Sequence, residues 1–321
     1  MPSIIKSLGV VVAGLAAVAS ALPAYPKLTR SQMKIHNFMK RQNALAAAAG
    51  LTDIDILQFA LTLELLEEAF YREGFAKFPA DQFQALGLAP EQITDLTQIG
   101  KTEEAHVITL QGAIAQAGTK PVEACTYNFG FTDAAGMVAT AAVLENVGVS
   151  AYLGAAKLVT DPSILTTAGS ILTVEARHQT FIRAASKLVA VPQPFDTPLS
   201  PQQVFSLAAP FIASCPEGSN LILTAFPTLT MAEGQSAAAV QAGATIKLQS
   251  DAAANAAFCA FTTGGLPAGG TAFTAFDPAV GCVVPQGLAG IVYVNLASEG
   301  PLTGVLADEI ILAGPMVMQV S

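Results

Sequence analysis

The sequence predicts an α+β protein with two domains, a four-helix bundle followed by a small all-β, sandwich-like domain. Three observations lead to this prediction. Long apolar stretches with helical periodicity fill residues 50–192, and short β-rich runs between Gly and Pro turns fill residues 216–321. A segment rich in Pro, Gln and Ser, residues 193–215, joins them as a linker. With 321 residues and 52% hydrophobic side chains, the chain can bury a core in each part.

The residues before the predicted bundle carry processing signals. Residues 1–22 have the pattern of a secretory signal peptide, in which Lys6 precedes an apolar stretch that ends in Ala-Ser-Ala. Residues 23–49 are either a candidate propeptide that ends at the basic pair Lys40–Arg41 or an ordinary charged linker, and His36 within them has no expected role. We therefore expect a secreted protein, extracellular or in the cell wall, without a transmembrane anchor after signal removal.

Four helices are predicted in residues 50–192. The first covers Ile56–Phe75 with Asp53 or Asp55 as its cap, and the others run over about 90–118, 133–160 and 162–190. The third is long and apolar enough to resemble a membrane span. Because Glu145 lies in its middle and a carboxylate is costly in lipid, we interpret it as a helix buried in a soluble bundle.

The cysteines and the net charge restrict the class of protein. Four cysteines and no Cys-x-x-Cys motif favour disulfides in an oxidising compartment over a thiolate zinc site. Four cysteines allow three pairings; we favour Cys259–Cys282, which leaves Cys125–Cys215. The net charge of -9 argues against a nucleic-acid partner, which requires a basic surface.

Two of the three histidines follow a glutamate by three positions, in the pairs Glu103/His106 and Glu175/His178. Residues i and i+3 share one face of an α-helix, so each pair projects in one direction. One such pair on each of two helices, with one Glu from each of two others, is the ligand set of a di-iron or di-manganese carboxylate site in a four-helix bundle.

An internal repeat between the first and third predicted helices supplies the other two glutamates. Glu64 precedes Tyr71 by seven residues, and Glu145 precedes Tyr152 by the same spacing, which is two helical turns. The repeat selects Glu64 over Glu67, which faces about 60° away from that line. We expect the two tyrosines to donate hydrogen bonds to ligand carboxylates.

These residues predict a centre of two metal ions. The predicted metal ligands are Glu64, Glu103, His106, Glu145, Glu175 and His178. We expect Glu103 and Glu175 to bridge the ions, the other two carboxylates to be terminal ligands, and each imidazole to bind one ion. Two divalent cations neutralise four buried carboxylates. Oxygen and imidazole ligands without thiolate suit iron or manganese, and zinc is also compatible.

The same motifs resemble the secreted ferritin-like domain of fungal stress-response proteins, with related domains in plant desiccation-related proteins. The resemblance depends on LQFALTLELLEEAFYREGF, KTEEAH, AAVLEN and VEARHQ within about residues 50–190, and extends to FDTPLSPQQVFSLAAPFIASCP at 195–216. It implies that this part folds as a ferritin-like four-helix bundle. It also implies that the family's ligand pattern falls on the six residues named above.

Two functions remain open from the sequence. The first is redox chemistry of two iron or manganese ions with dioxygen or peroxide, which would make the protein a di-metal oxidoreductase. The alternative is a non-catalytic stress, desiccation or cell-wall protein, in which the bundle is a scaffold. The Ala- and Gly-rich apolar composition suits association with a cell wall or with other copies of the chain.

Overall fold

Six α-helices occupy the first part of the chain that the structure, a computed structural model, describes. The described residues are 51–219, 223–266 and 270–320. The helices are α1 (Asp53–Lys77), α2 (Ala80–Ala85), α3 (Pro90–Gln116), α4 (Ala134–Ala155), α5 (Pro162–Ala185) and α6 (Pro201–Ala208). The predicted signal peptide and candidate propeptide lie outside the described residues.

Helix α1 begins after Thr52, which is its N-cap in place of the predicted Asp53 or Asp55. The Thr52 hydroxyl accepts a hydrogen bond from the Asp55 N–H, and the Asp55 carboxylate accepts one from the Thr52 N–H at 2.8 Å. Asp53 instead accepts hydrogen bonds from the backbone N–H groups of Thr160 and Asp161, each at 2.8 Å. These bonds tie the start of α1 to the turn between α4 and α5.

Helices α1, α3, α4 and α5 form the bundle, and they pack most closely in the pairs α1–α3 and α4–α5. Helix α4 is the most enclosed, since every residue from Leu144 to Tyr152 is buried. In the described part of the chain, α4 alone is long and apolar enough to cross a membrane, and most of it is buried inside the protein. Burial by neighbouring helices accounts for its apolar composition.

The second part of the chain is rich in strands. Strand β1 (Thr126–Tyr127) lies between α3 and α4 and pairs with β2 (Ile212–Ser214). The others are β3 (Thr230–Met231), β4 (Thr245–Ile246), β5 (Leu248–Gln249), β6 (Phe258–Thr262), β7 (Thr271–Ala275), β8 (Cys282–Val283), β9 (Gly290–Ala297) and β10 (Ile311–Val320). The main sheet is antiparallel in the order β10-β9-β6-β7, and β3–β5 and β4–β8 are short antiparallel ladders. The predicted α+β fold class, helical first and strand-rich second, is confirmed.

The main sheet lies between two hydrophobic cores. Val292, Val294 and Leu296 of β9 pack into a core that also contains residues of the short ladders. Tyr293, between them in sequence, belongs to the core of the bundle because successive side chains of a strand point to opposite faces. Strand β9 therefore contacts the helical part directly.

The segment 193–215, predicted as a linker, contains α6 and packs against the bundle. The Leu199 N–H donates to the Ser150 carbonyl at 3.1 Å, which attaches this segment to α4. Two disulfides, Cys125–Cys215 and Cys259–Cys282, have the pairing that the sequence favoured. The first joins the end of this segment to the connection between α3 and α4.

Candidate metal centre

The six predicted metal ligands lie together in the middle of the bundle. They are Glu64 on α1, Glu103 and His106 on α3, Glu145 on α4, and Glu175 and His178 on α5. The four glutamates have no exposed surface, and the two histidines are 8% and 6% exposed. Six such side chains are rarely buried together without a compensating charge.

Three carboxylates surround the imidazole of His106. Its Nδ1 atom lies 3.2 Å from Glu64 Oε2 and 3.0 Å from Glu103 Oε2. The same atom lies 3.2 Å from Glu175 Oε1. One nitrogen and three carboxylate oxygens, contributed by α1, α3 and α5, therefore converge on one region.

A second group surrounds His178. Its Nδ1 atom lies 2.8 Å from Glu103 Oε1 and 3.1 Å from Glu145 Oε2. Glu175 also belongs to this group, whose ligand atoms all lie within 4.8 Å of one another. The two groups thus share Glu103 and Glu175, and their imidazole ring centroids are 6.2 Å apart.

Several oxygens at this centre lack a hydrogen-bond donor. Glu103 Oε1 and both carboxylate oxygens of Glu175 are buried without a hydrogen-bond partner. Imidazole nitrogens lie near two of these oxygens, but not in hydrogen-bonding geometry. Buried carboxylate oxygens normally have a partner, and a cation would supply one here. Carboxylate oxygens with imidazole nitrogens match the ligand preference of iron and manganese, so the residues fit the predicted ions.

Two tyrosines orient Glu64 and Glu145, the carboxylates that each belong to only one of the two groups. The Tyr152 hydroxyl on α4 donates to Glu64 Oε1 on α1 at 2.5 Å. Reciprocally, the Tyr71 hydroxyl on α1 donates to Glu145 Oε1 on α4. Both phenols are buried, and each bond leaves Oε2 of its glutamate directed to a histidine.

Comparison with known proteins assigns the helical part to a family. Residues 52–188 match the family described as ferritin-like domain. This helical region is therefore ferritin-like. The chain is also similar to Protein rds1 of Schizosaccharomyces pombe (strain 972 / ATCC 24843), with 26% identity over 178 residues. That match covers 55% of this chain and 44% of the relative, so the chain spans less than half the length of this relative. The predicted resemblance to a ferritin-like, stress-related family is confirmed.

Thr102 fixes the orientation of one imidazole in the ferritin-like domain, and the sequence analysis did not identify it. Its hydroxyl donates to the Ile99 carbonyl at 2.6 Å and lies 2.9 Å from His178 Nε2. Because its proton is used on the carbonyl, the hydroxyl oxygen accepts from Nε2–H. A neutral His178 then carries its lone pair on Nδ1, the atom that faces the carboxylates.

The pKa values reflect a charged cluster inside an apolar bundle. Burial disfavours the charge of His106, but the three carboxylates close to its Nδ1 outweigh burial and raise the pKa to about 12. The same balance raises the pKa of His178 to about 10. Burial acts to raise the pKa of Glu103, yet the two imidazoles close to its carboxylate lower it to about 2. Burial raises the pKa of Glu64 to about 7.

Glu67 is a fifth buried carboxylate near this centre, although the helical repeat excluded it from the predicted ligands. It is 4% exposed, and burial followed by repulsion from Glu175 raises its pKa well above the ordinary value. It lies across from Gly148 of α4, where a Cβ atom would be 3.3 Å from Glu67 Oε1 and 2.6 Å from Glu175 Oε2. The glycine therefore leaves room for both carboxylates.

The main sheet supports the ferritin-like domain beside the predicted ligand Glu145. The Tyr293 hydroxyl of β9 accepts a hydrogen bond from the Asn146 side chain at 2.5 Å and lies 2.8 Å from Ser150 Oγ. The Asn146 side chain also accepts from Gln179, which follows His178 on α5. A strand residue distant in sequence thus connects the two helices next to their ligands.

Proposed function

We propose that the ferritin-like domain binds two iron or manganese ions and that the protein is a secreted oxidoreductase acting on dioxygen or peroxide. The observation that carries the proposal is the pair of buried groups, each with one imidazole and three carboxylates, that share two glutamates. That arrangement is the ligand set of dinuclear carboxylate sites in four-helix bundles.

The geometry indicates a role for each side chain. Glu103 directs Oε2 to the first group and Oε1 to the second, as a bridging carboxylate would. Glu175 belongs to both groups and would be the second bridge. Glu64 and Glu145 would each serve one group as terminal ligands, held by a tyrosine on the facing helix.

When bound, two such ions supply redox chemistry with dioxygen or peroxide. The chain's own residues prepare the site for them. Thr102 holds the proton of His178 on Nε2, and the two tyrosines keep each terminal carboxylate in one orientation. Burial of all six side chains excludes bulk water and strengthens the attraction between carboxylates and cations.

Two features support secretion. The N-terminal pattern is that of a signal peptide, and both disulfides are of a kind that persists in oxidising compartments.

Metal content is the direct test of the proposal. The full secreted chain should contain about two iron or manganese ions, as expected for this ligand set, by elemental analysis. Glu103→Gln should lose most of the metal because it removes a charge shared by both groups. Glu104→Gln is the matched control, since the neighbouring residue on the same helix is exposed and should keep the wild-type content.

The double variant His106→Ala/His178→Ala should also lose both ions. If wild-type protein, purified without chelator and then offered Fe(II) or Mn(II), remains metal-free, the proposal is wrong. The protein would then act as a non-catalytic stress or cell-wall scaffold. Metal retained fully in the double variant would show that the ions bind elsewhere.

A further inference from the structure

An apolar cavity of about 140 Å³ lies beside the proposed metal centre. Leu66 of α1 and Val147 of α4 form its inner wall, and Leu207 and Phe211, in and after α6, form the opposite wall. Among the described residues that line it, Glu67 alone has a polar side chain. The cavity therefore exists because the segment after the ferritin-like domain folds back across α1 and α4.

The size and lining of this cavity limit what it can hold. The cavity is partly open to solvent, since Pro210 in its lining is exposed. A water molecule needs two to four polar partners, which this lining does not offer, whereas enclosed apolar cavities of about this size bind molecules such as benzene or xenon. An ion would lose its hydration without compensation in such surroundings. A small, uncharged, apolar molecule is the occupant that this lining accepts.

Gly148 and Glu67 separate the cavity from the metal centre. Both line the cavity, and the position that a Cβ at residue 148 would take lies 2.6 Å from Glu175 Oε2 and 3.3 Å from Glu67 Oε1. The two carboxylates occupy the room that a larger residue would need. The cavity is therefore bounded on this side by the Gly148 backbone and the Glu67 side chain, next to the bridging carboxylate Glu175.

We propose that this cavity binds a small apolar molecule, of dioxygen to benzene size, against the wall that Gly148 and Glu67 form beside the bridging carboxylate Glu175. The inference rests on the proposed function and deepens it, because it assigns the substrate to the apolar class. Dioxygen belongs to this class, whereas peroxide, a hydrogen-bonding molecule, gains nothing from such a lining.

Xenon-pressurised crystals of the full chain test the cavity without metal. We expect one xenon site against Val147 and Leu207 in the wild type. Ala208→Leu adds a larger side chain from α6, away from the ligand helices, and should abolish that site. Ala139→Leu makes the same change at an exposed position of α4 and should keep xenon at wild-type occupancy.

A second variant covers the case in which Ala208→Leu does not fold. Leu207→Ala enlarges the cavity, so its xenon occupancy should rise above that of the wild type. Benzene binding in solution distinguishes an organic substrate from dioxygen. Measurable benzene binding assigns an organic apolar substrate, whereas a cavity that binds xenon but excludes benzene assigns dioxygen. The proposal is overturned if the wild type holds ordered water or no xenon there, or if xenon persists unchanged in Ala208→Leu.

Delivery to the centre is tested separately in Fe(II)-loaded protein. Ala208→Leu should consume dioxygen several-fold more slowly than the wild type at the same iron content. Equal rates would overturn delivery through the cavity. Because xenon binding needs no metal and iron content is measured independently, failure of the cavity and failure of the metal site give different results.

Discussion

At the scale of single residues, the hydroxyl of Thr102 decides how His178 can act. It has one proton, which it donates to the Ile99 carbonyl, so it accepts from Nε2 and directs the lone pair of the neutral ring inward. Removing this oxygen leaves a buried N–H without a partner and frees the ring to change tautomer.

We expect Thr102→Val to lower metal affinity about 10- to 100-fold, the usual effect of removing a group that orients a ligand histidine. Competition with a chelator measures the affinity. Thr109→Val is the control because that exposed hydroxyl bonds only to the Ala105 carbonyl in the described residues. Equal affinity of the two variants would contradict the role of Thr102.

The imidazole pKa values predict that metal affinity increases as the pH rises. His106 and His178, with pKa values of about 12 and 10, both carry protons in the metal-free chain at neutral pH. Two ions can bind only when these protons leave, and their removal becomes easier as the pH rises. Overall affinity should therefore increase at least a hundredfold per pH unit between about pH 6 and 9. Glu64, with a pKa of about 7, also releases a proton at the lower end of this range. Calorimetry in buffers of different ionisation enthalpy measures the number of protons released on metal binding. Metal binding without proton release would contradict this expectation.

Six side chains that the structure brings together are predictable from the sequence, because helical spacing alone defines which residues share a face. The same spacing excluded Glu67 from the predicted ligands. Glu67 is nevertheless buried, and it lines a cavity together with Leu207 and Phe211 from a later part of the chain. Tyr293 was equally out of reach, since its contact with Asn146 spans 147 residues.

At the scale of elements, α4 and the segment before α6 are held in contact by Gly154. The Leu199 carbonyl oxygen lies 1.8 Å from the position that a Cβ at residue 154 would occupy. This backbone-to-backbone approach is open only to glycine, because any side chain would push the segment away. The contact also brings the Leu199 N–H within bonding distance of Ser150.

We expect Gly154→Ala to lower the free energy of unfolding by about 1–3 kcal/mol, as overpacking does. Gly112→Ala on α3 is the matched change, because nothing lies within 4 Å of its Cβ position. That variant should instead gain about 0.5–1 kcal/mol from the lower backbone entropy of alanine. Denaturant midpoints check both, and a stabilised Gly154→Ala would show that the segment is not tightly packed.

The four bundle helices begin within about three residues of their predicted starts, although α4 and α5 end about five residues earlier than predicted, and α6 lies inside a predicted linker. Its proline-rich surroundings indicated a loop, although Pro201 stands at the first helical turn, where a missing N–H costs nothing. The Ser200 side chain caps the helix by accepting from the Gln203 N–H. A helix of 8 residues is marginal alone, so its packing on the bundle, invisible to local pattern, stabilises it.

At the scale of the whole molecule, the Cys125–Cys215 disulfide closes the longer of the two covalent loops. It joins residues 90 apart in sequence, against 23 for Cys259–Cys282. A bond that closes a longer loop removes more conformational entropy from the unfolded chain. The contact between the ferritin-like domain and the segment that follows it therefore depends in part on this bond.

We expect Cys125→Ala/Cys215→Ala to lose about 4–5 kcal/mol of stability by this chain-entropy argument. Denaturant unfolding of the full chain measures it. In reducing buffer the wild type loses the same bond, so the difference between wild type and variant should nearly vanish. A difference that persists in reductant would assign the loss to side-chain packing.

Helix α4 has buried residues in every direction over the nine positions from Leu144 to Tyr152. Its own chain covers it, with the neighbouring helices on one side and β9 and the α6 segment on the other. This stretch of α4 has no outer surface to offer a lipid bilayer or an adjacent subunit. Any shell built from many copies of this protein would have to be assembled through other faces of the bundle.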